Sequence, residues 1–73
     1  MTESFLDITH EVCPMTFVLV KLRLETLSPG SRLTIRLNGG EPLANIPRSV
    51  QEEGWRVESV MEEGPHYTLV VVR

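Results

Sequence analysis

Residues 32–37, RLTIRL, alternate strictly between apolar side chains and charged or polar ones. In an extended chain Leu33, Ile35 and Leu37 project to one side, and the residues between them project to the other. This alternation is typical of a β-strand that buries one of its faces. We therefore predict a strand here and assign the neighbouring segments relative to it.

Two segments that precede this strand predict a strand followed by a helix. Residues 5–8, FLDI, indicate a short strand with Leu6 and Ile8 on one face. Residues 14–27 are ambiguous because FVLV is β-prone, but apolar side chains recur there at helical spacing until SPG ends the pattern. The predicted apolar stripe of this helix consists of Phe17, Val20, Leu24 and Leu27.

A second helix is predicted after the loop NGGEP, which spans residues 38–42. Leu43, Ile46 and Val50 recur at helical spacing, and Gly54 follows as a C-terminal cap. Pro47 inside this stretch indicates either a kink or a helix that begins only near the proline.

The last part of the chain predicts a hairpin. WRVESVM and HYTLVVV are β-prone, and EEGPH between them contains Gly64 and Pro65 and has the length of a hairpin turn. The element order is therefore β-α-β-α-β-β, in which the strand–helix–strand unit implies a parallel pair and the hairpin adds antiparallel pairing. We predict a two-layer α/β sandwich, with two helices on one face of a four-stranded mixed sheet.

Composition narrows the class of protein. Seventy-three residues predict a single domain spanning residues 1–73, and no apolar stretch approaches the ~20 residues that a membrane span needs. The start of the sequence does not have the pattern of a secretory signal. The formal net charge is −3, and the seven basic residues are scattered, which predicts no direct binding of nucleic acid. One cysteine favours a reducing compartment, so we expect a cytoplasmic protein.

The single cysteine lies in EVCPMTFV, residues 11–18, directly before a proline. Proline is favoured at the first position of a helix, which would make Pro14 that position and Cys13 the N-cap. A thiolate is stabilised at a helix N-terminus, and its pKa is lowered there. The alternative is a buried cysteine that acts as a small apolar residue; the position before a helix-starting proline favours the reactive thiolate.

The other residues of the chain restrict what such a thiolate could do. No second cysteine is present, so a dithiol oxidoreductase within one chain is excluded. A hydrolase needs a base, and the imidazoles are His10, expected in a loop, and His66, expected to be solvated in the hairpin turn. His10 and Cys13 alone make no metal site, and no cofactor is indicated. A sulfur atom that is itself carried or exchanged remains.

These residues resemble a known family. The resemblance rests on the element order, the stretch LDITHEVCPM, the SPG before the second strand and the NIP of the second helix. From residue 6 onward the chain resembles the TusA/SirA-like sulfur-carrier proteins. In that family the cysteine accepts a sulfane sulfur as a persulfide and passes it to a partner protein. The resemblance implies that Cys13 bears the persulfide, that Pro14 is the first proline of the motif and that Asp7 is its aspartate, which we expect to order the loop.

Two positions depart from the family pattern. His10 stands where the family has a glycine, which changes the conformations available to the loop. Thr16 stands where the family has a second proline, and it restores an N–H group that is a candidate donor to the Cys13 sulfur. These departures leave the choice between tRNA thiolation and other sulfur metabolism open.

The resemblance implies a carrier with persulfide chemistry rather than a stand-alone turnover enzyme. Its partners would be a sulfur donor, either a cysteine desulfurase or a rhodanese-like protein, and a sulfur acceptor protein, and the carrier itself would be a monomer or weak dimer. The alternative is a non-catalytic or regulatory module with the same fold that binds protein or RNA. A further alternative is a family member that has lost transfer through its two motif changes.

Overall fold

The computed structural model describes residues 3–11 and 15–73. The four strands form one sheet in the order β1-β2-β4-β3, with β1 and β2 parallel and the other two pairs antiparallel. The predicted element order and mixed four-stranded sheet are confirmed. The elements are β1 (Glu3–Asp7), α1 (Met15–Glu25), β2 (Arg32–Asn38), α2 (Glu41–Glu52), β3 (Arg56–Glu63) and β4 (His66–Val72).

Strand β2 forms the centre of the sheet, and its alternation is the one the sequence predicts. Leu33, Ile35 and Leu37 are fully buried, whereas the residues between them are exposed or half-buried. Leu33 lies opposite Val71 and Ile35 lies opposite Leu69 on β4, so these side chains share one face. Both helices cover this face, and within the part of the chain that the structure describes no helix covers the opposite face.

Helix α1 packs on the sheet through Val20 and Leu24, which are fully buried as predicted. Phe17 and Leu27 are partly buried against the same core. The helix ends at Glu25, earlier than predicted, because the next two residues continue with tighter i→i−3 bonds. These bonds run from the N–H of Thr26 to Arg23 O and from that of Leu27 to Leu24 O, at 3.1 Å each. The predicted start at Pro14 lies outside the described residues.

Helix α2 begins at Glu41, so Pro47 lies well inside it rather than near its start. Ile46 and Val50 are fully buried, as the spacing predicts. Gly54 follows the helix with φ 95°, a backbone conformation that glycine adopts at low cost. Its N–H bonds Gln51 O and that of Trp55 bonds Val50 O, both at 3.0 Å, which forms a Schellman motif. The predicted glycine cap is confirmed.

The hairpin turn is shorter than predicted. Strand β3 runs to Glu63 and β4 starts at His66, which leaves Gly64 and Pro65 between them. Gly64 has φ 65°, as a tight hairpin turn requires. The prediction of a solvated turn residue is therefore wrong for His66: the shorter turn makes it the first residue of β4, and it is half-buried and pairs with Asn38 in the β2–β4 ladder.

Arg23 joins α1 to the outer strand of the sheet. Its Nη1 atom donates to Ser4 Oγ and to the main-chain oxygen of Phe5, at 3.2 Å each. In the sheet, β1 has a neighbouring strand, β2, on one side. On its other side the Arg23 guanidinium supplies a hydrogen bond to the β1 main chain.

Within residues 3–11 and 15–73, neither helix is long and apolar enough to cross a membrane.

Candidate functional site

The predicted site residues fall into two groups. Cys13 and Pro14 lie outside the described residues, so their predicted roles stay predictions. Asp7, His10 and Thr16 are described. The described part of the site is residues 8–11, the loop that leaves β1 and leads towards the cysteine, together with the side chains that hold this loop.

Asp7, the last residue of β1, holds the first turn of the loop. Its Oδ1 atom accepts a hydrogen bond from the N–H of Thr9 at 2.9 Å and from the Thr9 hydroxyl at 2.7 Å. The backbone N–H of Thr9, and then its hydroxyl, lower the pKa of Asp7, and the positive charges of Arg36 and His10 act in the same direction. The side chain of Asp7 is exposed, and it works as an ionised acceptor for the loop.

The sheet continues to hold the chain beyond the end of β1. The N–H of Ile8 donates to Arg36 O at 2.9 Å, and the N–H of Glu11 donates to Ile8 O at 3.1 Å. The side chain of Ile8 is buried in the core, as the alternation with Leu6 predicts. The loop is therefore fixed at both its ends by backbone hydrogen bonds and at its start by a core side chain.

Asn38 and His66 support the loop from the neighbouring strands. Asn38 Nδ2 donates to the carbonyl oxygen of Thr9 at 2.7 Å, and Asn38 Oδ1 lies 2.9 Å from His66 Nδ1. Both residues are half-buried at the end of their strands. Neither residue was predicted to belong to the site. The register between β2 and β4 places the two residues opposite each other, and no local sequence signal identifies that register.

The two positions that depart from the family pattern have different surroundings. His10 is exposed in the loop, where its charge contributes slightly to the lowered pKa of Asp7. Thr16 is fully buried on the same side of α1 as Val20 and Leu24. Among the described residues every buried side-chain nitrogen or oxygen atom has a hydrogen-bond partner, so the Thr16 hydroxyl is satisfied. The predicted donation from the backbone N–H of Thr16 to the Cys13 sulfur stays a prediction.

The outer side of α1 is also apolar. Met15, Val18 and Leu22 expose 47%, 38% and 56% of their surface, and their spacing of three and four residues places them on one stripe. A helix that is apolar on both sides normally has a second partner besides its own core. This stripe starts two residues after Cys13.

In the described ranges, no group of three or more His, Cys, Asp and Glu is placed to hold a metal ion.

Comparisons with known proteins show which family the chain resembles. The family Sulfurtransferase TusA matches residues 4–73. A protein of Archaeoglobus fulgidus is 37% identical over 68 residues, covering 93% of this chain and 77% of its own length. A protein of Thermotoga maritima is 33% identical over 60 residues, covering 82% of this chain and 76% of its own. Both relatives bear the name "Putative sulfur carrier protein".

A solved structure shows the same fold. The SirA-like protein of Desulfitobacterium hafniense superposes with a TM-score of 0.81 over 94% of this chain and 95% of its own, at 18% sequence identity. The family match extends over nearly the whole sequence, and two relatives above 30% identity support it. The chain belongs to the TusA family.

Proposed function

We propose that this protein is a sulfur carrier in which Cys13 accepts a sulfane sulfur as a persulfide and passes it to a partner protein. The observation that carries the proposal is the family match over residues 4–73, which includes the only cysteine of the chain. The names of the two relatives support the same role. The Cys13-Pro14 pair directly before α1 is where the family resemblance puts the sulfur.

The transfer consists of two thiol exchanges that need no external oxidant. In the first, the Cys13 thiolate attacks the outer sulfur of a donor persulfide. A new S–S bond forms at Cys13, the donor S–S bond breaks, and the donor leaves as a thiolate. In the second, an acceptor thiolate attacks the outer sulfur on Cys13, takes it as a persulfide and releases the Cys13 thiolate. The chain has no second cysteine, so the persulfide has no thiol in its own chain to react with.

The described residues support these steps through α1 and the loop. A helix of eleven residues, Met15–Glu25, directly follows the Cys13-Pro14 pair, and the positive end of a helix favours an anion. A lowered thiol pKa raises the fraction of thiolate near neutral pH. The loop bonds made by Asp7 and Thr9 limit the conformations of the chain that enters this position.

The partners are proposed to dock against the outer stripe of α1, formed by Met15, Val18 and Leu22. Exposed apolar side chains grouped on one helix face are typical of protein contacts. A donor protein that bound this stripe would bring its persulfide next to the residue that precedes the helix. The proposed donor is a cysteine desulfurase or a rhodanese-like protein, and we propose that the carrier acts in the cytoplasm as a monomer or weak dimer.

Intact-mass measurement tests the transfer. The protein is incubated with a cysteine desulfurase and cysteine, or with thiosulfate and a rhodanese, and its mass is recorded with and without reductant. A gain of one sulfur that reductant removes, and that Cys13→Ser abolishes, is expected. An equal gain in Cys13→Ser would overturn the proposal. No gain, with a thiol that still alkylates fast below pH 7, would identify a family member without transfer; slow alkylation would favour a binding module.

A further inference from the structure

A continuous chain of hydrogen bonds links β4 to the loop before Cys13. It runs from His66 on β4 to Asn38 at the end of β2, from Asn38 to the carbonyl of Thr9, and from Thr9 to the Asp7 carboxylate on β1. The contacts at the two ends of the Asn38 amide measure 2.9 Å and 2.7 Å. Three strands of the sheet thus contribute to holding one loop residue.

The hydrogen bonds determine which ring nitrogen of His66 carries the proton. Asn38 uses its amide nitrogen to donate to the carbonyl of Thr9, so its oxygen faces the ring. An amide oxygen is only an acceptor, and therefore Nδ1 of His66 must be the donor. The neutral ring accordingly carries its hydrogen on Nδ1 and leaves Nε2 as an acceptor.

We propose that His66 is a positioning residue for Cys13, acting through Asn38 and Thr9. This inference rests on the proposed function, because it assigns the loop the task of presenting the sulfur-carrying thiol. Thr9 is held on both sides, by Asp7 at its N–H and hydroxyl and by Asn38 at its carbonyl. His66 fixes the orientation of the Asn38 amide. Without that donor the Asn38 amide keeps one of these two contacts, so its hydrogen bond to the Thr9 carbonyl is held less firmly.

Substitutions that separate the ring from its hydrogen bond test this proposal. His66→Phe keeps an aromatic ring but removes the donor, whereas His66→Asn keeps an amide nitrogen near the place of Nδ1. The matched control is Thr68→Val, on the same strand. The Thr68 hydroxyl donates to Glu63 at 2.6 Å, a contact that does not reach the loop. Thermal melting of each variant reports any general loss of stability.

The first readout is the alkylation rate of Cys13 by iodoacetamide as a function of pH. We expect His66→Phe to raise the apparent thiol pKa towards the value of about 8.5 for a free cysteine, and to lower the rate at pH 6.5 by up to about tenfold. His66→Asn should restore most of the rate, and Thr68→Val should match the wild type. Equal profiles for all four proteins, or equal losses in His66→Phe and Thr68→Val, would overturn the proposal.

The second readout needs no variant. Long-range ¹H–¹⁵N spectra of the wild-type protein, recorded with the His66 ring neutral, distinguish the two tautomers of that ring. The proposal requires the hydrogen on Nδ1, and a ring protonated on Nε2 would overturn it.

The alkylation assay uses no sulfur donor, so the two proposals fail separately. If the wild type never gains sulfur, but Cys13 alkylates more slowly in His66→Phe than in the wild type, the carrier function is rejected and the positioning role is kept. If the wild type and His66→Phe gain sulfur at the same rate and have the same alkylation profile, the positioning role alone is rejected.

Discussion

Replacing Arg73 should cost more stability than its position after the last strand suggests. Its Nη1 atom donates to the carbonyl oxygens of Glu25, at 3.3 Å, and Leu27, where α1 ends. Its main chain continues the pairing of β4 with β2, since its N–H donates to Ser31 O at 2.9 Å and its carbonyl accepts from Gly30 N–H at 3.0 Å. The guanidinium thus joins the end of β4 to the C-terminus of the helix that follows Cys13.

The magnitude follows from what the guanidinium contributes. A hydrogen bond to a charged donor is worth about 1.5–3 kcal/mol, and a cation at a helix C-terminus adds about 0.3–1 kcal/mol. Ordering an arginine side chain offsets up to about 2 kcal/mol of this. Arg73→Met, which keeps the apolar stem, should therefore lower the free energy of unfolding by about 1–2 kcal/mol. This loss is a substantial share of the free energy of unfolding, which is expected to be ~4–11 kcal/mol for a chain of this length.

Urea denaturation followed by circular dichroism measures this loss, and the melting temperature should fall by about 5–15 °C. Arg73→Lys should give an intermediate value, because it keeps the charge near the helix end but not the guanidinium geometry. Arg48→Met is the matched control: Arg48 is exposed and bonds the Asn45 side chain at 3.1 Å, so its loss should change stability by less than about 0.5 kcal/mol. Equal effects of the two methionine variants would refute the reasoning.

Three further predictions concern the loop, the outer stripe of α1 and the α2 cap. The pKa of the Asp7 carboxyl is lowered in the folded protein. The stabilisation that this carboxylate provides is therefore complete above the unfolded pKa near 3.8 and is lost as pH falls through the folded pKa. A ¹³C titration of the carboxyl should place its midpoint below 3.8, and Thr9→Val should move that midpoint part-way back. A midpoint at or above 3.8 in the wild type would contradict this. Leu22→Glu should slow sulfur loading from a donor protein without changing stability. Met61→Glu is the control, because the Met61 side chain is 55% exposed but lies on the other face of the sheet, and it should leave the loading rate unchanged. Equal loading rates for the two variants would count against the proposed docking stripe. Gly54→Ala should lower the free energy of unfolding by about 1–2 kcal/mol in urea, because alanine is strained at φ 95°, and an unchanged midpoint would disprove that strain.

The sequence predicted the fold because the strongest patterns lie in the elements that build the core. The alternation of β2 survives because one face is covered and the other is not, and Leu33, Ile35 and Leu37 are all buried. Gly54 was identifiable as a cap because its left-handed conformation is one that other residues rarely adopt. Such signals are local, and each depends on a few neighbouring residues.

The sequence predicted less of the site because its supporting contacts join segments far apart in the chain. Asn38 and His66 meet through the pairing of β2 with β4, and no local pattern specifies that pairing because the two residues are far apart in the chain. Helix α1 is apolar on most of its surface, so periodicity identified Val20 and Leu24 but did not distinguish buried Thr16 from exposed Leu22. Arg73 and Arg23 were counted only among the basic residues scattered along the chain, although both donate to the main chain of other elements.

The place of β1 at the end of the sheet has a consequence for hydrogen exchange. This strand has five residues and one neighbouring strand, and Arg23 is the side chain that bonds its main chain from outside the sheet. Strand β4 lies between two neighbours and contributes two fully buried side chains to the core. Amides of β1 should therefore exchange through local opening well before those of β4. Asp7 and the loop that it holds adjoin β1, so their amides should take part in this local opening while the core around β4 stays folded.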